Sequence, residues 1–142
     1  MTYRLGERSL KNLEGVHPNL KKIMHEAIKN SPVDFTITEG LRTSKRQQQL
    51  YAQGRTTKGM KVTNLNGTTS KSNHQAKYDG FGHAVDLYPF FLGQVQVNHK
   101  DTIKNLEKIA IHIKATAKCL GIKITWGGDW KNPYDPPHFE LS

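Results

Sequence analysis

The stretch His83-Ala84-Val85-Asp86-Leu87-Tyr88-Pro89 reads as a short β-strand with an acid set into an otherwise apolar run. Alternation places Ala84, Asp86 and Tyr88 on one face and Val85 and Leu87 on the other. A carboxylate there is costly to bury unless it is paired or binds a metal. Near the C-terminal end, Asp135-Pro136-Pro137-His138-Phe139-Glu140-Leu141-Ser142 supplies a second strand, His138 to Leu141. His138 and Glu140 share one of its faces, and Asp135 lies on the loop just before it. Of the seven histidines, His74, His83 and His138 each stand near an acid and at the edge of a predicted strand. Two imidazoles and an aspartate from separate segments, with a further carboxylate nearby, are the inventory of a catalytic zinc site. Three protein ligands hold the metal, a fourth position stays open to water, and the spare carboxylate serves as general base. His17, His25, His99 and His112 are expected on the surface or in packing.

Around these segments the pattern alternates between helix and strand. A first helix is expected at Ser9 to Gly15. Pro18 opens a second, in which Leu20, Ile23, Met24, Ala27 and Ile28 recur at helical spacing before Asn30-Ser31-Pro32 ends it. Phe35 to Thr38 alternates as a strand. Thr43 can cap a helix through Leu50 and Tyr51, stopped by Gly54. Residues 55 to 82 are rich in Gly, Thr, Ser, Asn and Lys and read as a long loop, a feature usually functional in a compact domain. Gln94 to Val97 is a candidate edge strand. The strongest helix starts at Asp101 or Thr102, with a stripe of Ile103, Leu106, Ile109, Ala110, Ile113, Ala117 and Leu120 and a cap at Gly121. Ile122 to Trp126 reads as a strand, followed by a Gly-Gly-Asp-Trp turn. The class is α+β.

The chain has 142 residues, 35% of them hydrophobic and 23% charged. That is the size of one domain, with enough chain to bury a core. No apolar run approaches the ~18 residues of a membrane span. One cysteine, Cys119, excludes a disulfide framework and any multi-cysteine zinc knuckle. The N-terminus lacks the apolar centre of a secretory signal, so synthesis and storage in a cytoplasm are expected. Twenty-one basic residues against twelve acidic ones give a net charge of +9, which attracts polyanions without choosing among them. The Lys and Arg residues are scattered, and no helix carries a basic stripe with interleaved aromatics, so a nucleic-acid-binding module is disfavoured. Nothing signals an oligomer, and a monomer is expected.

The sequence resembles the bacteriophage endolysins of the L-alanyl-D-glutamate peptidase type. These belong with the zinc peptidases that include D-Ala-D-Ala carboxypeptidases and dipeptidases. The family pattern is Ser-x-His, a spacer, Gly-x-Ala-x-Asp, and a late acid-x-x-His. It is met by Ser72-Asn73-His74, by Gly82-His83-Ala84-Val85-Asp86 and by Asp135-Pro136-Pro137-His138. Phe35 to Thr43 matches a strand ending in Gly-x-Arg-Thr, and Trp126-Gly127-Gly128-Asp129-Trp130 matches a Gly-x-Asp-Trp turn. The likeness spans nearly the whole chain.

The resemblance implies a small central antiparallel sheet with helices around it, of the Hedgehog and D-Ala-D-Ala peptidase kind, with a zinc site at the sheet. It implies that His74, Asp86 and His138 bind one zinc ion and that Asp135 is the catalytic base. Arg42 would stabilise the oxyanion or hold a substrate carboxylate. Asp129 would shape its turn or support a ligand. The substrate would be the peptidoglycan stem peptide, cut between L-Ala and D-Glu, with D,D-carboxypeptidase action as the rival within the same fold. Residues 1 to 142 would form a single catalytic domain without a separate wall-binding domain, and the positive charge would draw it to anionic envelope polymers. The enzyme would wait in the host cytoplasm until membrane holes release it. His74 and Asp86 are twelve residues apart, longer than the commonest family spacing, with Lys77 to Phe81 as the extra residues. His83 is the rival ligand. It lies three residues from Asp86 on a strand, so the two point to opposite faces. Asp79 could bind a second ion or turn the loop, and the turn is the expected role.

Overall fold

The computed structural model describes residues 2–63, 65–68, 71–131 and 133–142. Helices α1 (Glu7–Asn12) and α2 (Pro18–Asn30) precede strand β1 (Phe35–Glu39) and helix α3 (Ser44–Ala52). Strands β2 (Ala84–Phe91) and β3 (Gln94–Val95) lead into helix α4 (Thr102–Leu120). Strand β4 (Ile124–Trp126), a 3-10 turn (Gly127–Asp129) and strand β5 (His138–Leu141) complete the order. The strands form one antiparallel sheet in the order β1-β2-β5-β4, with β3 paired to the far end of β2. This is the expected α+β architecture.

The apolar spacing of the two long helices builds the core. Leu20, Ile23, Met24, Ala27 and Ile28 of α2 are buried, as are Leu106, Ile109, Ala110, Ile113 and Ala117 of α4. They meet the inward faces of the sheet, Phe35 and Ile37 of β1, Val85 and Leu87 of β2, and Phe139 of β5. Ile103, expected in the α4 stripe, is exposed at the first turn. The opposite sheet face carries Asp86, His138 and Glu140.

Several boundaries differ from the sequence reading. The first helix ends at Asn12, because the chain turns through Leu13 and Glu14 into a left-handed Gly15 (φ 78°). Val16 then bridges to Gly82. Strand β4 starts at Ile124 and β3 stops at Val95. Strand β2 begins at Ala84 and runs through Pro89 to Phe91 rather than stopping at Tyr88. Proline is tolerated there because the ladder with β1 needs no N–H at that position. Phe90 donates to the Asp34 carbonyl, and the Phe35 N–H is taken by Asp34 Oδ1. On the other side Gln96 N–H reaches the Pro89 carbonyl (2.9 Å), and the Gln96 carbonyl, which proline cannot serve, accepts from Thr102 Oγ1 at 3.0 Å. The described residues between α3 and β2 form a loop, as expected for residues 55 to 82. Two buried glutamines bolt it down. Gln47 of α3 donates to Thr63 Oγ1 and the Leu65 carbonyl, and Gln75 donates to Ser44 Oγ and the Gly67 carbonyl.

Candidate metal centre

Register alone brings the first two site residues together. Asp86 of β2 pairs directly with His138 of β5, on the sheet face away from the core. Across the other edge of β2, β1 bulges between Ile37 and Glu39, which sets Glu39 opposite Asp86. Bulges of this kind re-aim side chains beside sites. His74 arrives from the loop and is held by short backbone contacts. Ser72 Oγ accepts the His74 N–H (3.1 Å), and the His74 carbonyl accepts from Arg42 N–H (2.6 Å). The first of these gives the Ser72 of Ser72-Asn73-His74 a structural role in this chain. Gly82 leaves room for this approach, and Gly40 lets the end of α1 and Val16 pack against the end of β1. A Cβ at Gly40 would overlap the Asn12 carbonyl, and one at Gly82 would stand 2.9 Å from the His74 carbonyl.

Outer partners decide which ring nitrogens face inward. His74 Nδ1 lies 2.9 Å from the Gly40 carbonyl, so it carries hydrogen and Nε2 turns to the centre. His138 Nε2 lies 2.7 Å from Glu140 Oε1, so Nδ1 turns to the centre, and Asn73 Nδ2 in turn donates to Glu140 Oε2 at 2.7 Å. Such carboxylate and carbonyl partners orient metal-binding imidazoles in general. The inward atoms form a near-equilateral triangle. His74 Nε2 and His138 Nδ1 are 3.2 Å apart, and each is 3.3 Å from Asp86 Oδ1. Donors arranged tetrahedrally ~2.0 Å from one ion are separated by about 3.3 Å. Asp86 Oδ1 is buried and has no hydrogen-bond partner in good geometry among the described residues. The two imidazoles and the carboxylate can therefore hold a metal ion, and the buried orphan oxygen fits that role.

The electrostatics agree. Burial works to raise the Asp86 carboxyl, but the imidazoles of His138 and His74 outweigh it and hold it well below the usual carboxylate range. Burial works to lower His138, yet Asp86 and Glu140 lift it to about 9. Asp135 stands with Oδ2 3.8 Å from His138 Nδ1. Its burial in the cavity wall and the charge of Asp86 raise its carboxyl above the ordinary range. The 3-10 turn fixes it, since Asp135 N–H donates to the Gly127 carbonyl (3.0 Å) and a Cβ at Gly127 would strike the Asp135 carbonyl. Trp130 lies against His138, with ring centroids 5.1 Å apart.

Arg42 also faces this centre, but its guanidinium is heavily engaged. It donates to Glu39 through Nε (2.8 Å) and Nη2 (2.7 Å), and through Nη1 to Gln47 (2.7 Å) and Ser72 (3.5 Å). Nη2 lies 3.8 Å from Asp86 Oδ2. Nothing in the sequence distinguished Gln47 or Glu39 as its partners. Glu140 had a legible signal, two residues after His138 on the same strand face. Asp129 pairs with Lys114 at 2.6 Å, both partly exposed. His83 points away from the centre and meets Asp79 instead, at 2.7 Å. His17, expected on the surface or in packing, is partly exposed and packs beside Phe81 and His83, with Nε2 3.8 Å from Asp79 Oδ2. The cavity over the centre measures about 730 Å³, and its walls include Leu50, Lys61, Val62 and Leu65. That is the size of a small-ligand site.

Two imidazoles and an aspartate converging at a sheet, beside a free carboxylate and under an open cavity, are the donor set of the metal-dependent hydrolases. Comparison with known proteins narrows this class. The profile of the phage L-alanyl-D-glutamate peptidase family matches residues 1–141, and the chain belongs to that family. It is 31% identical to the L-alanyl-D-glutamate peptidase of Escherichia phage T5, over 99% of both chains. It is 36% identical to the peptidoglycan L-alanyl-D-glutamate endopeptidase CwlK of Bacillus subtilis, covering 89% of this chain and 73% of that one. The crystal structure of the Serratia marcescens L-Ala D-Glu endopeptidase ChiX superimposes with a TM-score of 0.75 at 32% identity, covering 99% of this chain and 91% of that one.

Proposed function

We propose that this protein is a phage endolysin that hydrolyses the bond between L-Ala and D-Glu in the peptidoglycan stem peptide, with one zinc ion held by His74, Asp86 and His138. The observation that carries the reading is the triangle of inward donors around the orphaned Asp86 oxygen, with edges of 3.2 to 3.3 Å. Family membership and the names of the relatives supply the bond and the substrate. Zinc in that position would supply Lewis acidity at the scissile carbonyl and make a neighbouring water more acidic.

The rest of the work falls to the chain. Asp135 takes a proton from the attacking water and returns it to the leaving amine, a role that its raised proton affinity suits. Glu140 and the Gly40 carbonyl keep the two imidazoles in the tautomers that face inward. Arg42, fixed by Glu39 and Gln47, places a permanent positive charge beside Asp86, with donor capacity left on Nη2 for substrate. Trp130 walls the centre beside His138. The net charge of +9 supports attraction to anionic envelope polymers, and the 142 residues act as one catalytic unit. No helix among the described residues is long and apolar enough to cross a membrane. Storage in the host cytoplasm followed by release to the wall is the cellular course that this reading assigns to it.

Mass spectrometry of digested peptidoglycan tests this reading. New peptides with a free D-Glu amino end are expected, and loss of terminal D-Ala alone would point to carboxypeptidase action. The variant Asp135→Ala should lose turnover while still binding one metal ion at this centre. Normal turnover by that variant would refute its assignment as base.

A further inference from the structure

A second convergence of metal-binding side chains lies outside the centre described above. His17, at the start of α2, Asp79, in the loop after His74, and His83, just before β2, bring ligand atoms close together. Asp79 Oδ2 is 2.7 Å from His83 Nε2 and 3.8 Å from His17 Nε2. The two imidazoles pack edge to face, with centroids 5.1 Å apart.

The backbone pre-arranges all three. His17 N–H donates to the Gly82 carbonyl and Gly82 N–H to the Gly15 carbonyl, both at 2.9 Å. His83 N–H donates to the Asn73 carbonyl at 2.8 Å. Asp79 Oδ1 accepts from Phe81 N–H at 3.0 Å, which leaves Oδ2 aimed at the imidazoles. The side chains stay accessible, with 25% exposure for His17, 24% for Asp79 and 17% for His83, so an ion could enter from solvent.

We propose that His17, Asp79 and His83 form a second divalent transition-metal site, which staples the loop carrying His74 to the start of α2. Two imidazoles and one carboxylate favour zinc, cobalt or nickel over calcium or magnesium, which prefer all-oxygen shells. Asp79 lies within residues 77 to 81, the extra residues that lengthen the spacing between His74 and Asp86. The loop insertion thus supplies the carboxylate of the second site. Ligation has one local cost. His17 Nδ1 accepts the Asn19 N–H (3.0 Å) as the cap of α2, so binding through Nε2 moves its proton to Nδ1 and gives up that cap. The second ion is therefore held more weakly than the one in the buried centre.

This proposal does not depend on the peptidase reading, and its test reads no activity. Metal-free protein is dialysed against micromolar free zinc, and bound zinc is counted by elemental analysis. Wild type should hold two ions per chain. Asp79→Asn and His83→Gln should each hold one. His17→Asn, which keeps a good helix-capping side chain while removing the imidazole, should also hold one and retain the thermal stability of metal-free wild type. Asp79→Asn and His83→Gln that each hold as many ions as wild type overturn the proposal, whatever the occupancy of the first centre.

Discussion

Replacing Glu140 by Gln should lower the proton affinity of His138 in the metal-free protein and weaken the fold at neutral pH. Glu140 Oε1 sits 2.7 Å from His138 Nε2, and with Asp86 it lifts that imidazole to about 9. The group is almost fully buried, so solvent screens the interaction little. A rise from the ordinary ~6.5 to about 9 corresponds to about 3 kcal/mol of proton-linked stability. The sign follows from the direction of the shift. Because the folded value lies above the unfolded one, this stability is fully present below pH ~6.5 and is lost as pH rises through about 9. The depressed Asp86 carboxyl reports the same ion pair from the other partner, so the two shifts do not add.

Glutamine keeps an acceptor at Nε2 but removes its charge. A charge-assisted hydrogen bond exceeds a neutral one by about 1 kcal/mol, so the midpoint should fall by about one pH unit. The assay is an NMR titration of the His138 ring in metal-free wild type and Glu140→Gln, with urea unfolding at pH 7 and above pH 9. Wild type should titrate near 9 and the variant near 8, and the stability difference between them should shrink at the higher pH. A wild-type midpoint at the ordinary histidine value, or equal midpoints in the two proteins, would refute the reasoning.

Arg42→Lys should reduce kcat/KM by tenfold or more, because lysine cannot reproduce the two-pronged contact with Glu39 while also reaching Gln47. Steady-state kinetics on purified stem peptide would check this. Gln47→Ala should cost about 1–3 kcal/mol, seen as a lower Tm, since it strips partners from Arg42, Thr63 and the Leu65 carbonyl. Phe139→Ala, in the fully buried sheet core, should cost about 3–5 kcal/mol in chemical denaturation and leave the site residues unchanged. In the metal-free protein the Asp135 carboxyl should titrate above the ordinary carboxylate value, because its burial and the charge of Asp86 raise its proton affinity. An NMR midpoint at or below pH ~4 in metal-free protein would contradict this.

The strands that build the site were legible because an acid at Asp86 and a histidine at His138 interrupt apolar alternation, and alternation fixes which face each residue takes. The helical stripes of α2 and α4 were legible for the same reason. Three features were not. Pro89 argued for a strand end, yet the missing N–H falls where Thr102 can serve the stranded carbonyl, a contact made across six residues of turn. The order within the long loop comes from Gln47 and Gln75, two glutamines among several, chosen by tertiary position alone. The pairing of His17 with Asp79 and His83 depends on the bridge between Val16 and Gly82, which local sequence does not encode. The family motif had already favoured His74 over His83 as the partner of Asp86, and the geometry adds the reason: the Ser72 hydroxyl and the Gly40 carbonyl aim one ring inward, while Asp79 draws the other away.

The most direct measurement is an anomalous difference map collected at the zinc edge from crystals of the zinc-loaded protein. A peak about 2.0–2.2 Å from His74 Nε2, His138 Nδ1 and Asp86 Oδ1 together is the predicted result. Zinc bound elsewhere with that point empty, or bound without Asp86, would contradict the account.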